Sequence, residues 1–558
     1  MKLVTAAQMR ELEQRANDSG NSYADMMERA GTLTAQAIMQ RWEVKGKRVL
    51  VLIGPGNNGG DGLVCARVLH DAGASVLLYV WRRTPDAEDV NWNLCQQRGI
   101  PFVRAEEDAN FNRLNAELAQ TDFLVDALLG TGVARPIGGL LQELLQEIQK
   151  FLKRPRPTRA LISPSAPEAA TRTRPIIIAV DLPTGLNPDT GALDPSAVAA
   201  ALTVTFAFPK VGQYRFPSAD AVGELVVADI GIPQDWAESI PLAVTSADEI
   251  RALLPKRERN SNKGTYGKAM IACGSLQFTG APTMAAHAAG RAGAGLVTIA
   301  LPQTIHPIVA SKINEATFLP LPDRLGDWRP RSANELLAFL WDSAYDALLV
   351  GCGLGRAEST REFLLRLLEN MPTLQNPPAL VIDADGLNLL ADVPEWWTRL
   401  QFSPPPILTP HPGEMARLLN MKTSDVQDNR IELAHESAKK WGVVAVLKGA
   451  FTVIASPNGQ TTLLPFANPA LATAGTGDVL AGTIAGLLAQ YRAAGRHSSM
   501  EDSTMSDDPL KQAYNAALVG GYVHGLAGEL AAQSIGHAGV VAGDILPRLP
   551  EAIWYLQK

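Results

Sequence analysis

The stretch RVLVLIGPGNNGGDG at residues 48–62 decides the fold of the N-terminal half. Its apolar first part predicts a buried strand, and the glycine-rich part leads into LVCARVLHDAG, whose apolar residues have helical spacing. The apolar run SVLLYVW follows, so strand, helix and strand alternate. This order predicts a βαβ unit and therefore a parallel sheet.

The glycine-rich turn allows more than one interpretation. Gly54, Gly56 and Gly59 fit the spacing G-x-G-x-x-G of dinucleotide sites, and a helix expected to begin near Asp61 would offer N–H donors to a phosphate. However, a hydride-transferring dehydrogenase should carry an acidic residue about 20 positions later. This chain has WRR at 81–83 instead, where the arginines suit either a 2′-phosphate or solvent.

The polar residues in the turn are also ambiguous. Asn57 and Asn58 are typical of left-handed turn residues that cap a helix, but a loop that only cradles a pyrophosphate does not need them. Their presence, together with Asp61, predicts a polar site with a further chemical role.

Composition restricts the function classes. The 558 residues carry a net charge of -7, which argues against nonspecific binding of nucleic acid. Four cysteines lie far apart without a C-x-x-C pair, so we expect neither a zinc site nor a disulfide framework, and a reducing compartment. The N-terminus predicts an amphipathic helix with Thr5 and Gln8 forming a capping box, and not a signal peptide. We expect no membrane-spanning segment and a cytoplasmic protein.

Two α/β domains are predicted along the chain. Residues 1–240 form a doubly wound domain, in which an insertion at about 153–175 is rich in Pro, Arg, Ser and Ala. Residues 245–558 form a second α/β domain, in which the polar stretch at about 492–512 predicts a flexible loop.

Ligands of such sheets lie beyond the carboxyl ends of the strands. Asp126 and Asp181 each end a predicted strand and precede a glycine-bearing turn. The PKVGQ turn at 209–213 follows another predicted strand and is expected at the same edge of the sheet. Asp181 also suits a simple strand-end cap. Together with Thr184, the carboxylate oxygens of Asp126 and Asp181 are candidates to hold a monovalent cation.

Three motifs, GPGNNGGDG, VDALLGTG and AVDLPTGLNPDTG, resemble the NAD(P)H-hydrate epimerases over residues 1–240. The resemblance implies a Rossmann-like fold and a substrate that is itself a damaged, hydrated nicotinamide cofactor, NADHX or NADPHX. It implies K⁺ ligands at Asn58, Asp126 and Thr184, and Asp181 as the acid/base residue. The substrate-binding residues that it implies are Asn57, Asn58, Gly59, Gly60, Asp61, Gly130, Thr131, Gly132, Val133, Ala134, Arg135, Pro136 and Asp181.

The strongest pattern of the second domain is AGTGDVLAG at 474–482. Its glycines permit a tight turn, and a helix expected to begin near Asp478 directs N–H groups and its positive dipole end towards an anion. Asp478 is either a proton- or metal-handling group or only a helix cap. In LKGAFTVI, Lys448 suits a nucleotide or belongs to a plain hairpin with an exposed lysine. His411, beside prolines, suits either a site or a structural role.

GTGD resembles the ribokinase-like fold, and the set TGAP, GCGLGR, DADGLN, TPHPGE, LKGAFT and AGTGDVLAG resembles the ADP-dependent NAD(P)H-hydrate dehydratases over 245–558. Cys352 stands where proline is common in that family. The resemblance implies Asp478 as the general base and Mg²⁺ with ADP, which yields AMP. It implies a nucleotide site at Lys448, Gly449, Ala450, Phe451, Thr452 and Gly477. It implies a hydrate site at Ala281, Gly355, His411 and Asp478.

The whole chain therefore resembles the bifunctional NAD(P)H-hydrate repair enzymes. The implied activity is epimerisation of the R and S hydrates and ADP-dependent dehydration of the S hydrate, in a homo-oligomer with neither a nucleic-acid nor a membrane partner. The alternative is a small-molecule kinase of the ribokinase type, fused to a noncatalytic Rossmann-like binding module.

Overall fold

The computed structural model describes residues 1–84, 88–132, 136–153, 174–497 and 507–558. The described chain forms two compact units, one of Lys2–Ile240 and one of Pro241–Lys558 together with Met1. Most of the predicted insertion, and Val133, Ala134 and Arg135 of the predicted epimerase site, lie outside the described residues.

The unit Lys2–Ile240 is built on a seven-stranded, fully parallel sheet within the described residues. Its strand order is β3-β2-β1-β4-β5-β6-β7, which is the doubly wound order predicted. The strands are β1 Arg48–Ile53, β2 Ser75–Val80, β3 Phe102–Arg104, β4 Phe123–Ala127, β5 Ile176–Val180, β6 Leu202–Phe206 and β7 Glu224–Ala228.

Helices cover both faces of this sheet and bury it in two apolar clusters. The predicted capping box at Thr5 and Gln8 is confirmed. The strands β1 and β4 are neighbours, and the chain order reverses between them, so ligands are expected at their carboxyl ends. The helices are α1 Ala6–Asp18, α2 Tyr23–Met39, α3 Asn57–Asp71, α4 Val90–Gln97, α5 Asn112–Leu118, α6 Leu140–Lys153 and α7 Ala219–Val222.

The larger unit contains a ten-stranded mixed sheet of described residues, in the order β11-β10-β9-β14-β15-β16-β17-β18-β19-β8. The α/β class predicted for this half is confirmed. Neighbours are parallel except where β18 pairs with β17 and β19. Two further strands, β12 Asp323–Arg324 and β13 Asp327–Trp328, form a separate two-stranded sheet. The strands of the ten-stranded sheet are β8 Leu242–Val244, β9 Lys268–Ala272, β10 Leu296–Pro302, β11 Thr317–Leu321, β14 Ala347–Val350, β15 Ala379–Ile382, β16 Ile407–Leu408, β17 Val444–Leu447, β18 Val453–Ala455 and β19 Thr461–Leu463.

The largest apolar cluster lies in this unit and includes residues of the long helices α18 and α19. The flexible loop predicted at 492–512 is wrong at both ends, because the two helices occupy them; residues 498–506 lie outside the described residues. The helices are α8 Ala247–Leu253, α9 Gly280–Arg291, α10 His306–Ala310, α11 Pro330–Asp342, α12 Glu358–Asn370, α13 Asp385–Ala391, α14 Trp396–Arg399, α15 Pro412–Leu419, α16 Thr423–Asp428, α17 Arg430–Trp441, α18 Thr476–His497, α19 Pro509–Ile535, α20 Ala542–Ile545 and α21 Arg548–Gln557.

None of the described helices is both long and apolar enough to cross a bilayer. All four cysteines are buried and free of disulfide bonds.

Candidate active sites

The glycine-rich turn runs from β1 directly into α3, which begins at Asn57 and not near Asp61. Asn57 and Asn58 are therefore residues of the first helical turn and not left-handed turn residues. A Cβ atom at Gly59 would lie 2.1 Å from the carbonyl oxygen of Gly54, so the close approach of these two backbones requires glycine. The turn is thus shaped by its glycines, as the motif predicts.

Arg83 holds this turn from the side. Its Nη1 donates to the carbonyl oxygens of Gly54 at 3.3 Å and Gly56 at 3.1 Å, and its Nε donates to Asp89 at 2.8 Å. These contacts differ from both surroundings that the sequence allowed for this arginine, a bound 2′-phosphate or solvent. The guanidinium stabilises the loop because it donates to the carbonyl oxygen of Gly54 and shares that of Gly56 with the N–H of Gly60.

Asp126 and Thr184 are hydrogen-bonded to each other at the carboxyl end of β4, and the side chains of Asn58 and Thr184 both hydrogen-bond to the backbone of Leu129. Thr184 donates its Oγ1 proton to Oδ1 of Asp126 at 2.7 Å and its backbone N–H to Oδ2 at 2.8 Å. Burial raises the pKa of Asp126, and these hydrogen bonds partly oppose that effect. Asn58 donates Nδ2 to the carbonyl oxygen of Leu129 at 3.1 Å, while its buried Oδ1 has no hydrogen-bond partner among the described residues. The cluster therefore presents an unsatisfied oxygen beside a buried carboxyl group.

Asp181 follows β5 directly, as predicted, and has a left-handed backbone with φ of 63°. Its Oδ1 accepts from Nζ of Lys210 at 2.6 Å and from Oγ1 of Thr205 at 2.9 Å. Lys210 is only 1% exposed. Because both the cation and the carboxylate are buried, this ion pair is a specific structural feature and not a solvated surface pair.

Sequence reasoning missed two members of this group. Lys210 lies in the PKVGQ turn, which was singled out without a role for the lysine; a lysine inside the apolar run FAFPKVG was the available signal. Glu13 on α1 was also missed, although its pKa is raised by burial and by Asp181 against the opposing effect of Lys210. No local pattern connects α1 with the sheet edge.

A cleft of about 230 Å³ lies beside these groups. It is lined by parts of two of the predicted stretches, including Gly130, Pro136 and Gly185. The predicted residues Thr131 and Gly132 belong to the connection after β4 together with Gly130, whereas Gly60 lies in the first turn of α3 after β1.

In the larger unit, α18 begins at Thr476, two residues before the position expected. Asp478 therefore belongs to the first helical turn, and its interpretation as a plain helix cap is wrong. Burial, followed by the charge of Asp383, raises the pKa of Asp478 to about 6. A carboxyl group with such a pKa is able to exchange a proton near neutral pH.

Lys448 is the centre of an ionic cluster. Its Nζ lies 2.5 Å from Oδ1 of Asp383 and 3.7 Å from Oε2 of Glu414. Burial lowers the pKa of the lysine, but the two carboxylates outweigh it and leave the pKa raised. Burial raises the pKa of Glu414 to about 7. A Cβ at Gly477 would lie 3.4 Å from the lysine Nζ, so this cluster adjoins the N-terminus of α18.

Lys448 starts the turn of the β17–β18 hairpin, so the hairpin is present but the expected exposed lysine is wrong. Its side chain is 16% exposed and fully paired. The other predicted nucleotide residues, Gly449, Ala450, Phe451 and Thr452, form the rest of this turn, where Thr452 Oγ1 donates to the carbonyl oxygen of Gly449 at 2.9 Å.

His411 is the N-cap of α15, where its Nδ1 accepts from the N–H of Gly413 at 3.0 Å and its Nε2 lies 3.2 Å from Glu414. Burial, followed by Lys448, lowers its pKa. The histidine thus has a structural role and also touches the ionic cluster. The predicted residues Gly355 and Ala281 lie nearby in the loops after β14 and at the start of α9, and Gly355 N donates to Oδ2 of Asp385 at 2.9 Å.

Asp383 connects these groups; it is the first residue of the DADGLN motif and directly follows β15. Its Oδ2 lies 3.8 Å from Sγ of Cys352. Potential ligand atoms of Cys352, Asp383 and Asp478 all lie within 4.8 Å of one another. The Cys352 thiol is kept protonated, because its contact with Cys273 and its burial raise its pKa well above the ordinary value.

Comparisons with known proteins cover both units. Residues 269–551 match the NAD(P)H-hydrate dehydratase family, and residues 23–212 match the family described as YjeF-related protein N-terminus. The bifunctional NAD(P)H-hydrate repair enzyme Nnr of Moorella thermoacetica is 37% identical over 100% of this chain and 98% of its own length. The enzyme of the same name from Salinibacter ruber is 38% identical over 94% of this chain and 91% of its own length.

Among solved structures, the ADP/ATP-dependent NAD(P)H-hydrate dehydratase of Bacillus subtilis, co-crystallised with ATP and Mg²⁺, is 30% identical with a TM-score of 0.45. It covers 57% of this chain and 100% of its own length. The family matches and the full-length relatives agree with each other. The chain belongs to the family of bifunctional NAD(P)H-hydrate repair enzymes.

Proposed function

We propose that this chain repairs hydrated nicotinamide cofactors in two steps. The unit Lys2–Ile240 interconverts the R and S forms of NADHX and NADPHX. The unit Pro241–Lys558 consumes the S form and ADP, and releases NADH or NADPH, AMP and phosphate. The observation that carries the proposal is the position of Asp478, a buried carboxyl group with a pKa of about 6, beside Lys448 and at the N-terminus of a long helix.

The dehydration follows from this position. Hydroxide is a poor leaving group, and transfer of a phosphoryl group to the hydroxyl makes it a good one. Asp478 takes the hydroxyl proton while the oxygen attacks the terminal phosphorus of ADP, and AMP leaves. The N–H groups that open α18 and the ammonium of Lys448 stabilise the charge on the transferred group. Phosphate then departs with the C–O electron pair while the nitrogen lone pair forms a C=N bond, and loss of a proton from the adjacent carbon to solvent restores the C=C double bond and the nitrogen lone pair.

Mg²⁺ fits this site as the companion of ADP. It prefers oxygen ligands, which Asp383 offers together with the phosphates, and the protonated thiol of Cys352 does not compete for it. When bound, Mg²⁺ would neutralise phosphate charge. We assign the nucleotide to the turn Lys448–Thr452 and Gly477, and the hydrate to Ala281, Gly355 and His411.

K⁺ fits the epimerase site. The Oδ1 of Asn58 is buried without a partner among the described residues, and Asp126 and Thr184 place further oxygens in the same cluster. When bound, K⁺ would order the two connections that carry the remaining substrate-binding residues. A cytoplasmic location, which the free cysteines support, and a homo-oligomeric state complete the proposal.

The overall reaction is tested by incubating the protein with a mixture of R and S NADHX and with either ADP or ATP. We expect the 340 nm absorbance of NADH to return in full, faster with ADP than with ATP, and inorganic phosphate to appear in equal amount. A stable phosphorylated product without NADH would instead identify a kinase. Equal or faster turnover with ATP would contradict only the assignment of the donor.

The cation assignment predicts that Asn58→Ala raises the K⁺ concentration needed for half-maximal epimerisation at least about 10-fold, because one oxygen ligand is lost. The measurement is conversion of pure R hydrate to S hydrate in tetramethylammonium buffer with added K⁺. Asn58→Asp keeps an oxygen and should retain the K⁺ response. If epimerisation proceeds equally well without K⁺ in the unsubstituted protein, the cation assignment is wrong.

A further inference from the structure

The carboxyl group of Asp61 is a buried acid that the steps above do not use. It lies on α3 one helical turn after Asn58, and the residue is 9% exposed. No hydrogen bond within the described part of the chain reaches its carboxyl oxygens. Burial, followed by the charges of Asp181 and Glu13, raises its pKa well above the ordinary value, and a buried carboxyl group without a hydrogen-bond donor favours its protonated form.

The surroundings of Asp61 come from several elements. Asp181 follows β5, Glu13 lies on α1 and Lys210 follows β6, and all three act on Asp61 electrostatically. Arg83 acts on it from the end of β2, and Cys65 is its titratable neighbour on α3.

Asp61 and Asp181 therefore differ in their hydrogen bonding, although both follow strands at the same edge of the sheet. The carboxylate of Asp181 accepts from the Lys210 ammonium and from Thr205, and hydrogen bonds of this kind favour the charged form. Asp61 receives no such bond from the described residues. A carboxylate paired with an ammonium group and a buried carboxyl group without a hydrogen-bond donor among the described residues are suited to opposite roles, the first as a base and the second as an acid.

The inference rests on the proposed epimerase function, because inversion of a hydrated ring carbon uses both a proton acceptor and a proton donor. Hydration of an enamine double bond places the hydroxyl group on the carbon attached to nitrogen. By one route, inversion of that carbon breaks the ring C–N bond and forms it again on the other face. One group must remove the hydroxyl proton, and another must supply a proton to the nitrogen.

We infer that Asp61 is the proton donor of the epimerisation and Asp181 is its base. Asp181 takes the O–H proton, the O–H electron pair forms the C=O bond, and the C–N bond breaks. The electron pair of that bond takes the proton of Asp61 and yields an open-chain aldehyde and an N–H group. After rotation, the nitrogen attacks the other face of the aldehyde, and both protons return to their original groups. No oxidant or further reactant is consumed.

The test uses the full chain, pure R NADHX and no ADP, with chromatographic separation of the R and S hydrates. Asp61→Asn should lower kcat roughly 100-fold with little change in KM, because the amide has no acidic proton. Asp61→Ala should be equally slow and should recover activity when formate is added at mildly acidic pH, since formic acid replaces the missing carboxyl group. Asp71→Asn, on the exposed end of the same helix, should behave as the unsubstituted protein.

Each outcome decides a separate question. If the unsubstituted protein does not interconvert R and S hydrates, the proposed epimerase function fails, and the inference fails with it. If it does, and Asp61→Asn retains its kcat or changes only KM, the inference alone is overturned. Thermal unfolding shows whether each variant is folded; if Asp61→Asn is not, the absence of formate rescue in a folded Asp61→Ala protein overturns the inference.

Discussion

Asp478→Asn is expected to lower the rate of ADP-dependent dehydration of pure S hydrate by roughly 10²–10⁴-fold, the usual contribution of a general base. The amide keeps the size of the side chain but accepts no proton at neutral pH. Asp478 lies within the first turn of α18, so loss of its charge costs stability only about 0.3–1 kcal/mol through the helix dipole. ADP affinity, measured by calorimetry, should survive because Lys448 and the backbone N–H groups remain.

The matched control is Asp508→Asn, the same substitution at a true N-cap, where the carboxylate accepts from the N–H of Leu510 at 2.9 Å. This variant should keep normal turnover, since Asn caps helices about as well as Asp. In the unsubstituted protein, kcat/KM should fall as the pH drops below about 6, where Asp478 becomes protonated. Near-normal turnover by Asp478→Asn would falsify the catalytic assignment.

Long apolar runs and glycine turns made the fold predictable. The strands β1, β4 and β5 are each apolar and buried on both faces, as parallel strands covered by helices must be. The short strands β3, β16 and β19 were not predicted, because two or three residues carry no measurable period. Pairing with a neighbouring strand, and not local sequence, defines them.

Two helices begin earlier in the chain than the sequence pattern predicted. α3 and α18 begin four and two residues before Asp61 and Asp478, the positions expected. In both cases glycine and threonine or asparagine, which are weak helix formers, occupy the first turn. The sheet edge and the tight turn before it fix these helix starts, so propensity is overridden by tertiary structure.

The candidate sites were predictable only where residues are adjacent in sequence. The two motifs placed Asn58 and Asp478 near helix N-termini, although both helices begin earlier than expected, and strand ends placed Asp126 and Asp181 at one sheet edge. The partners that set their chemistry come from distant segments. Lys210 reaches Asp181, and Asp383 reaches Lys448, through contacts that no spacing rule encodes.

The second large effect concerns Asp181, whose replacement by alanine should abolish epimerisation. From a mixture of hydrates, an Asp181→Ala protein should consume only the S form, because its base has been lost. Turnover of pure S hydrate should stay near normal, since Asp478 and its neighbours belong to the other unit. The measurements are conversion of pure R hydrate without ADP and NADH return from pure S hydrate with ADP.

The alanine variant has a second consequence that must be separated from catalysis. It leaves the ammonium of Lys210, which is 1% exposed, without its carboxylate, and removing one partner of a buried pair costs about 3–5 kcal/mol. It also places alanine at a φ of 63°, where the short polar side chains of Asp and Asn are better tolerated. A lowered unfolding temperature is therefore expected for Asp181→Ala, whatever the residue does in catalysis.

Asp181→Asn resolves the two effects. Its amide oxygen still accepts from Lys210 and Thr205, and asparagine accommodates the left-handed backbone, so more of the stability should remain. It has no basic carboxylate, so R-to-S conversion should still fall to the background rate in solution. A folded Asp181→Asn protein that epimerises at a normal rate would mean that Asp181 only anchors the buried lysine, and the base would then have to be sought elsewhere in the unit Lys2–Ile240.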